Sequence, residues 1–183
     1  PIYMLTQAGI FLLDTLIGLF SLALLLRFYM QAFRAPFRNQ VGAFVVQITN
    51  WLVMPLRKIL PGVFGLDLAT LLSAYLLQVL LIVAVMFIGT WSITMLPDNM
   101  LVLVLWAALL ATLRISIYLL IGILFIQAIL SWVSPYSPLM PLATQLTRPF
   151  TNPIRRLVPP IANIDLSPVI AILLAQVTLI FLR

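Results

Sequence analysis

Four long apolar runs dominate the sequence and restrict the folds open to it. They cover residues 9–33, 68–90, 100–132 and 166–183. Crossing the hydrocarbon core of a bilayer takes about 20 helical residues. Only 8% of the residues are charged, whereas a soluble domain carries about 25% charged residues. The sequence therefore predicts an all-α membrane protein with four transmembrane helices.

A proline-bracketed basic stretch occurs twice, at Pro55–Pro61 and at Pro153–Pro159. When Pro55 is aligned with Pro153, polar residues also coincide without a gap, and such matches are more informative than leucine on leucine. These matches are Gln47 with Gln145, Thr49 with Thr147, Asp67 with Asp165, and Gln78 with Gln176. We expect an internal duplication, with one unit at residues 1–91 and a second, parallel unit at residues 92–183.

Basic residues are concentrated in the two long loops at 34–66 and 133–164, which contain no acidic residue. Each loop includes an amphipathic stretch, at 40–54 and 139–150, which predicts a short helix in the membrane interface. Pro55 is expected to end the first of these helices, so that the basic stretch lies in a loop. The positive-inside rule places both loops in the cytoplasm and both termini in the periplasm, as in a multi-pass protein of the bacterial inner membrane.

The charged residues outside the predicted spans form two sets of candidate sites. Five basic residues are candidates for binding anionic lipid or a partner protein: Arg57, Lys58, Arg148, Arg155 and Arg156. Topology signalling alone is the alternative role for the basic pairs. Asp67 and Asp165 immediately precede apolar runs and are predicted to be helix N-caps, because a carboxylate there accepts hydrogen bonds from free N–H groups.

Three charged residues lie inside the predicted spans: Asp14, Arg27 and Arg114. A charged side chain inside a membrane costs free energy, so each of these residues is a candidate functional residue. Arg27 is expected to snorkel to the cytoplasmic side. We expect Asp14 and Arg114 to reach similar depths and to contact each other. Outward snorkelling of Arg114 is the alternative.

The inventory of reactive side chains leaves little for catalysis. The chain has no cysteine, no histidine and no glutamate. The usual haem and metal ligands are therefore missing, and no nucleophile–base pair stands out. We expect no enzymatic activity, no cofactor and no metal. Because the basic residues flank the spans, the net charge of +6 predicts contact with anionic lipid rather than nucleic acid.

The second copy carries a recognisable family pattern: Ser131-Trp132, Thr147-Arg148-Pro149, Pro153, Arg155-Arg156, Pro159 and Asp165-Leu166-Ser167-Pro168. On these residues the chain resembles the YggT family of bacterial membrane proteins, in its two-copy proteobacterial form, with YlmG-like relatives in Gram-positive bacteria and plastids. The first copy departs from the pattern, with Phe33-Arg34 in place of Ser-Trp and Asn50-Trp51 in place of Arg-Pro. If the motif binds a ligand, the second copy is the better site.

The resemblance implies roles in osmotic tolerance in some bacteria, and in septum or plastid organisation and cytochrome cofactor assembly in relatives. Two functions remain open on the sequence. One is a scaffold or assembly factor that holds lipid or other membrane proteins on its basic face. The other is a small oligomeric channel or transport component for ions or osmolytes.

Overall fold

The computed structural model describes residues 1–89 and 98–183, and these residues form six α-helices and no strand. In chain order the helices are α1 (Ile2–Ala32), α2 (Gln40–Ile59), α3 (Leu68–Gly89), α4 (Met100–Val133), α5 (Met140–Leu157) and α6 (Ser167–Phe181). The all-α prediction is confirmed for this part of the chain. The predicted boundary between the two units, at residues 91 and 92, lies outside the described residues.

Three of the helices, α1, α3 and α4, are long and apolar enough to cross a membrane, with mean hydropathies of 2.3, 2.6 and 2.3. Helix α6 is also apolar but has only 15 residues, whereas crossing the hydrocarbon core of a bilayer takes about 20 helical residues. The described residues therefore contain three candidate spans by length and composition, against the four that the sequence predicts.

Helix α3 packs between α1 and α4, while α2 lies against α1 and α3 and α5 lies against α4 and α6. Small residues on α3, Ala69 and Ala74, are fully buried among leucines of α1. Small side chains allow membrane helices to approach closely. A buried hydrogen bond of 2.8 Å from Gln78 Nε2 to Ser21 Oγ joins α3 to α1. Many large apolar side chains on the outside of the bundle stay exposed, as suits helices surrounded by lipid.

The expectation that Pro55 ends the first amphipathic helix is wrong, because α2 continues to Ile59 with Pro55 inside it. Helix α5 likewise contains Pro149 and Pro153. A proline removes one N–H from the helix, but α2 is held in the bundle on both sides of it, since Val53 is fully buried and Leu56 packs against the same core cluster. The basic pairs thus occupy the last turns of α2 and α5, where cations interact favourably with the helix dipole.

A tight connection between α1 and α2 fixes the position of α2. The side chain of Asn39 accepts a hydrogen bond of 2.8 Å from the N–H of Gly42 and donates one of 2.8 Å to the carbonyl of Pro36. Gly42 lies so close to the preceding loop that a Cβ there would be 2.3 Å from the carbonyl oxygen of Phe37. Glycine is therefore required at this position by close backbone approach.

Candidate functional site

Two ion-paired turns link the basic helix ends to the helices that follow them. In one turn Arg57 is paired with Asp67, and in the other Nε of Arg155 lies 2.8 Å from Oδ2 of Asp165. Each turn is closed by a short backbone bridge, between Val63 and Leu66 in one and between Ile161 and Ile164 in the other. Arg57 and Arg155, two of the five predicted binding residues, therefore have intramolecular carboxylate partners.

Asp67 directly precedes α3, at the predicted cap position, whereas the N-cap residue of α6 is Leu166 rather than the predicted Asp165. The two carboxylates also have different contacts. The carboxylate of Asp67 accepts a hydrogen bond of 2.7 Å from the hydroxyl of Thr70. The carboxylate of Asp165 accepts one of 3.0 Å from the N–H of Ser167, the first residue of α6. Burial alone would raise the pKa of Asp165, but hydrogen bonds from Ser167 and the neighbouring guanidinium of Arg155 outweigh it and lower that pKa below its ordinary value.

This lowered pKa predicts an acid-dependent loss of stability. The pKa of Asp165 is lower in the folded protein than in the unfolded chain, so its carboxylate stabilises the fold at pH values above the ordinary carboxyl pKa of about 3.9. This stabilisation is lost as the pH falls through the lowered pKa. We expect Asp165→Asn to reduce this part of the acid sensitivity, measured as the midpoint of thermal unfolding in detergent against pH. The exposed residue Asp98 gives a matched control, Asp98→Asn, which should leave the profile unchanged.

Gln31, which is not among the predicted site residues, holds the first of these turns against α1. Its side-chain carbonyl accepts a hydrogen bond of 3.0 Å from the N–H of Asp67, and its amide donates to the carbonyl of Gly65. With a two-residue gap upstream of the proline-bracketed stretches, Gln31 aligns with Gln127, which instead accepts a hydrogen bond of 2.8 Å from the hydroxyl of Thr147. This match between two polar residues was the signal in the sequence that could have identified Gln31.

The other three predicted binding residues, Lys58, Arg148 and Arg156, form no salt bridge within residues 1–89 and 98–183. Arg148 and Arg156 line a cavity of about 390 Å³ on α5, together with Gln145, Asn152 and Phe33. The amide of Gln145 donates a hydrogen bond of 2.9 Å to the carbonyl of Phe33. We call this cavity the basic pocket. Its polar members recur at intervals of three or four residues on α5, a helical spacing that the sequence displays.

The prediction that Arg27 snorkels to solvent is wrong. Its side chain is 5% exposed, because α2 covers it. One terminal nitrogen donates hydrogen bonds of 2.8 Å to Oγ1 of Thr49 and 2.9 Å to Oδ1 of Asn50. The hydroxyl and amide of α2 thus replace the water that a snorkelling arginine would reach.

Asp14 and Arg114 line one cavity of about 380 Å³, together with Gln78 and Tyr118. The predicted direct contact between the two charges is wrong, since no salt bridge joins them. Arg114 instead donates a hydrogen bond of 3.2 Å to the carbonyl of Leu182. Carbonyls at a helix C-terminus lack intrahelical partners and carry partial negative charge, so they can take the place of a carboxylate.

Comparison with known proteins gives a consistent result along the chain. The CCB3/YggT family model matches residues 6–88 and 106–183. A Vibrio alginolyticus protein named for its position in the proC 3' region is 40% identical over 86% of this chain and 83% of its own. The Escherichia coli K12 protein "Uncharacterized protein YggT" is 39% identical over 91% of this chain and 85% of its own. An uncharacterised Pseudomonas aeruginosa protein is 36% identical over 92% and 85%. No solved structure matches the chain significantly.

Proposed function

The chain belongs to the CCB3/YggT family, and from this premise we propose that it is a non-enzymatic scaffold or assembly factor of the bacterial inner membrane. It acts through a basic cytoplasmic face that holds anionic lipid and, with it, other membrane proteins. The observation that carries the proposal is the division of the cations. Arg57 and Arg155 close structural turns, whereas Lys58, Arg148 and Arg156 have no carboxylate partner in the described parts of the chain.

We further propose that the protein has four crossings, with α6 as the fourth, and that α2 and α5 lie in the cytoplasmic interface. Both termini are then periplasmic, and the chain is a tandem of two parallel units. Three observations support the duplication. The family model covers two stretches of similar length. Each of the two turns contains an arginine–aspartate ion pair. Each turn is also closed by a backbone bridge between residues that are three positions apart.

This topology predicts which sides of the membrane are accessible to a label. Cysteines at the exposed residues Gln40 and Tyr136 should be protected from an impermeant thiol reagent added outside intact cells, because Gln40 begins one proposed interfacial helix and Tyr136 shortly precedes the other. A cysteine at the exposed residue Asn99 should react. Permeabilised cells give the control, in which all three should react. Protection of residue 99 together with reaction at residues 40 and 136 would invert the topology.

A transport or channel function is the second candidate, and the cavity with Asp14 and Arg114 favours it. Charged groups inside spans commonly mark substrate or ion pathways. Few polar side chains accompany this pair, so the scaffold function accounts for more of the described residues.

Complementation of a deletion strain under osmotic stress tests both candidates, because we propose that the scaffold contributes to osmotic tolerance. The unpaired cations are removed in one variant, Lys58→Gln, Arg148→Gln, Arg156→Gln. The two charges that line the cavity between the candidate spans are removed in the other, Asp14→Asn, Arg114→Gln. With expression and thermal stability matched, the scaffold function predicts failure of the first variant and growth of the second. The opposite outcome would support transport and contradict the scaffold.

A further inference from the structure

The basic pocket on α5 adjoins a second, apolar cavity of about 290 Å³. The two cavities share Phe33 in their walls. Alternating residues of α5 face each of them, with Gln145 and Arg148 on the polar cavity and Leu146 and Phe150 on the apolar one. The polar and apolar cavities therefore meet along one helix. We call the apolar cavity the crevice.

The crevice lies where the backbones of two helices stay apart. Helix α4 packs against both α1 and α6, but the backbones of α1 and α6, which are both fully described, do not approach each other closely. The crevice fills this gap, and its walls come from α1, α4, α5 and α6. Its polar groups are already satisfied, since the hydroxyl of Tyr29 donates a hydrogen bond of 3.0 Å to the hydroxyl of Ser116. An aliphatic chain from the surrounding bilayer therefore has an apolar place to enter.

The aromatic side chains hold the junction of the two cavities in place. The rings of Tyr29 and Phe33 are stacked with centroids 5.7 Å apart, and the ring of Phe33 meets that of Phe150 edge-on at 6.1 Å. The hydrogen bond from Gln145 fixes the carbonyl of Phe33 from the other side. The junction is thus built from α1 and α5 together and joins the two halves of the chain.

Resting on the proposed function, we propose that this composite site binds one anionic phospholipid per chain. Its phosphate lies between Arg148 and Arg156, with the amide of Asn152 as a further donor, and one acyl chain lies in the crevice. Guanidinium groups bind phosphate oxygens through paired, charge-assisted hydrogen bonds. A soluble phosphate would satisfy the basic pocket but would leave the adjoining crevice unused, so the site fits a lipid.

The first copy does not form such a site. Asn50, Met54 and Lys58 occupy the positions that align with Arg148, Asn152 and Arg156. Neither guanidinium is therefore present, since an amide replaces one and an ammonium the other. Gln47, which aligns with Gln145, is exposed. The first copy consequently supplies a matched control for the second.

Native mass spectrometry of the protein, released from nanodiscs of mixed phosphatidylglycerol and phosphatidylcholine, tests the proposal. We expect one phosphatidylglycerol retained per wild-type chain, and a loss of affinity of about tenfold or more in Arg148→Gln, Arg156→Gln, because two charge-assisted contacts are removed. The control Arg34→Gln, Arg38→Gln removes the same charge from exposed positions outside the basic pocket and should retain the lipid. Dihexanoyl phosphatidylglycerol should compete less well than the long-chain lipid, and glycerol phosphate should not compete.

Each departure from these results has a defined meaning. Equal loss in both double variants would contradict the composite site but leave a diffuse basic face, and with it the proposed function, intact. Equal competition by glycerol phosphate would show a site for the headgroup alone and overturn the role of the crevice. Retention of phosphatidylcholine and phosphatidylglycerol in equal amounts by the wild type would contradict both the composite site and the proposed lipid-binding face.

Discussion

Gly42→Ala is expected to destabilise the protein strongly and to displace α2 from the bundle. The new Cβ would lie 2.3 Å from the carbonyl oxygen and 2.8 Å from the carbonyl carbon of Phe37, and backbone atoms cannot move aside as a flexible side chain can. Overpacking typically costs about 1–3 kcal/mol, and we expect a loss at or above the upper end. The midpoint of thermal unfolding in detergent measures it.

The glycine at position 18 provides a control for this substitution. Gly18 also lies in a helix, α1, but nothing is within 4 Å of a Cβ built there. Because alanine is favoured over glycine in a helix interior by up to about 1 kcal/mol, Gly18→Ala should be neutral or stabilising. Equal loss of stability in the two variants would mean that the close approach of Gly42 to Phe37 does not determine the position of α2.

Thr49→Val is expected to cause the second large loss of stability, because it removes one hydrogen-bond acceptor from the buried charge of Arg27. Thr49 is fully buried and Arg27 nearly so, so water cannot replace the missing hydroxyl. A hydrogen bond to a charged group contributes about 1.5–3 kcal/mol, and leaving part of a buried charge unsatisfied adds to the loss. Chemical or thermal unfolding of matched preparations measures the difference.

Thr147→Val is the corresponding change at the aligned position of α5. Thr147 is also buried, but its hydroxyl donates to the neutral side chain of Gln127. A neutral hydrogen bond contributes about 0.5–1.5 kcal/mol, so this variant should be destabilised less than Thr49→Val. If both variants lost the same stability, the charge of Arg27 would not be what makes the first site important.

Much of the architecture is predictable from the sequence because apolar length and basic loops constrain membrane helices strongly. The prediction for residues 68–90 agrees with α3, and that for residues 100–132 agrees with α4 to within one residue. The alignment of the two proline-bracketed stretches also indicated that Asp67 and Asp165 would each lie just before an apolar helix. These features depend on local composition and on repeated spacing, which the sequence displays directly.

The side-chain partners were less predictable because they depend on how helices pack. Nothing in the local sequence indicates that α2 covers Arg27, or that Arg114 bonds to the end of α6. The pairing of Arg57 with Asp67, and of Arg155 with Asp165, required the turn between them to fold back. Pro55 was misleading because the local preference against proline in a helix was outweighed by packing of α2 through Val53 and Leu56.

The difference in ion pairing among the cations predicts different effects of their substitution. Arg57 and Arg155 are held by aspartates, so their substitution should mainly affect stability. Lys58, Arg148 and Arg156 are exposed and unpaired in the described regions, so their substitution should mainly affect binding. A phosphate group attracts such cations most effectively at low salt, since screening shortens the range of exposed charges to about 10 Å at 0.1 M ionic strength.

Fluorescence quenching by brominated lipids tests the central claim, that the basic face binds anionic lipid, most directly. Trp51 on α2 and Trp132 near the end of α4 are 63% and 85% exposed, and both lie on the side of the basic helices. We expect stronger quenching by brominated phosphatidylglycerol than by brominated phosphatidylcholine at equal mole fraction, with the difference falling as salt is added. Equal quenching by the two lipids at low salt would contradict it.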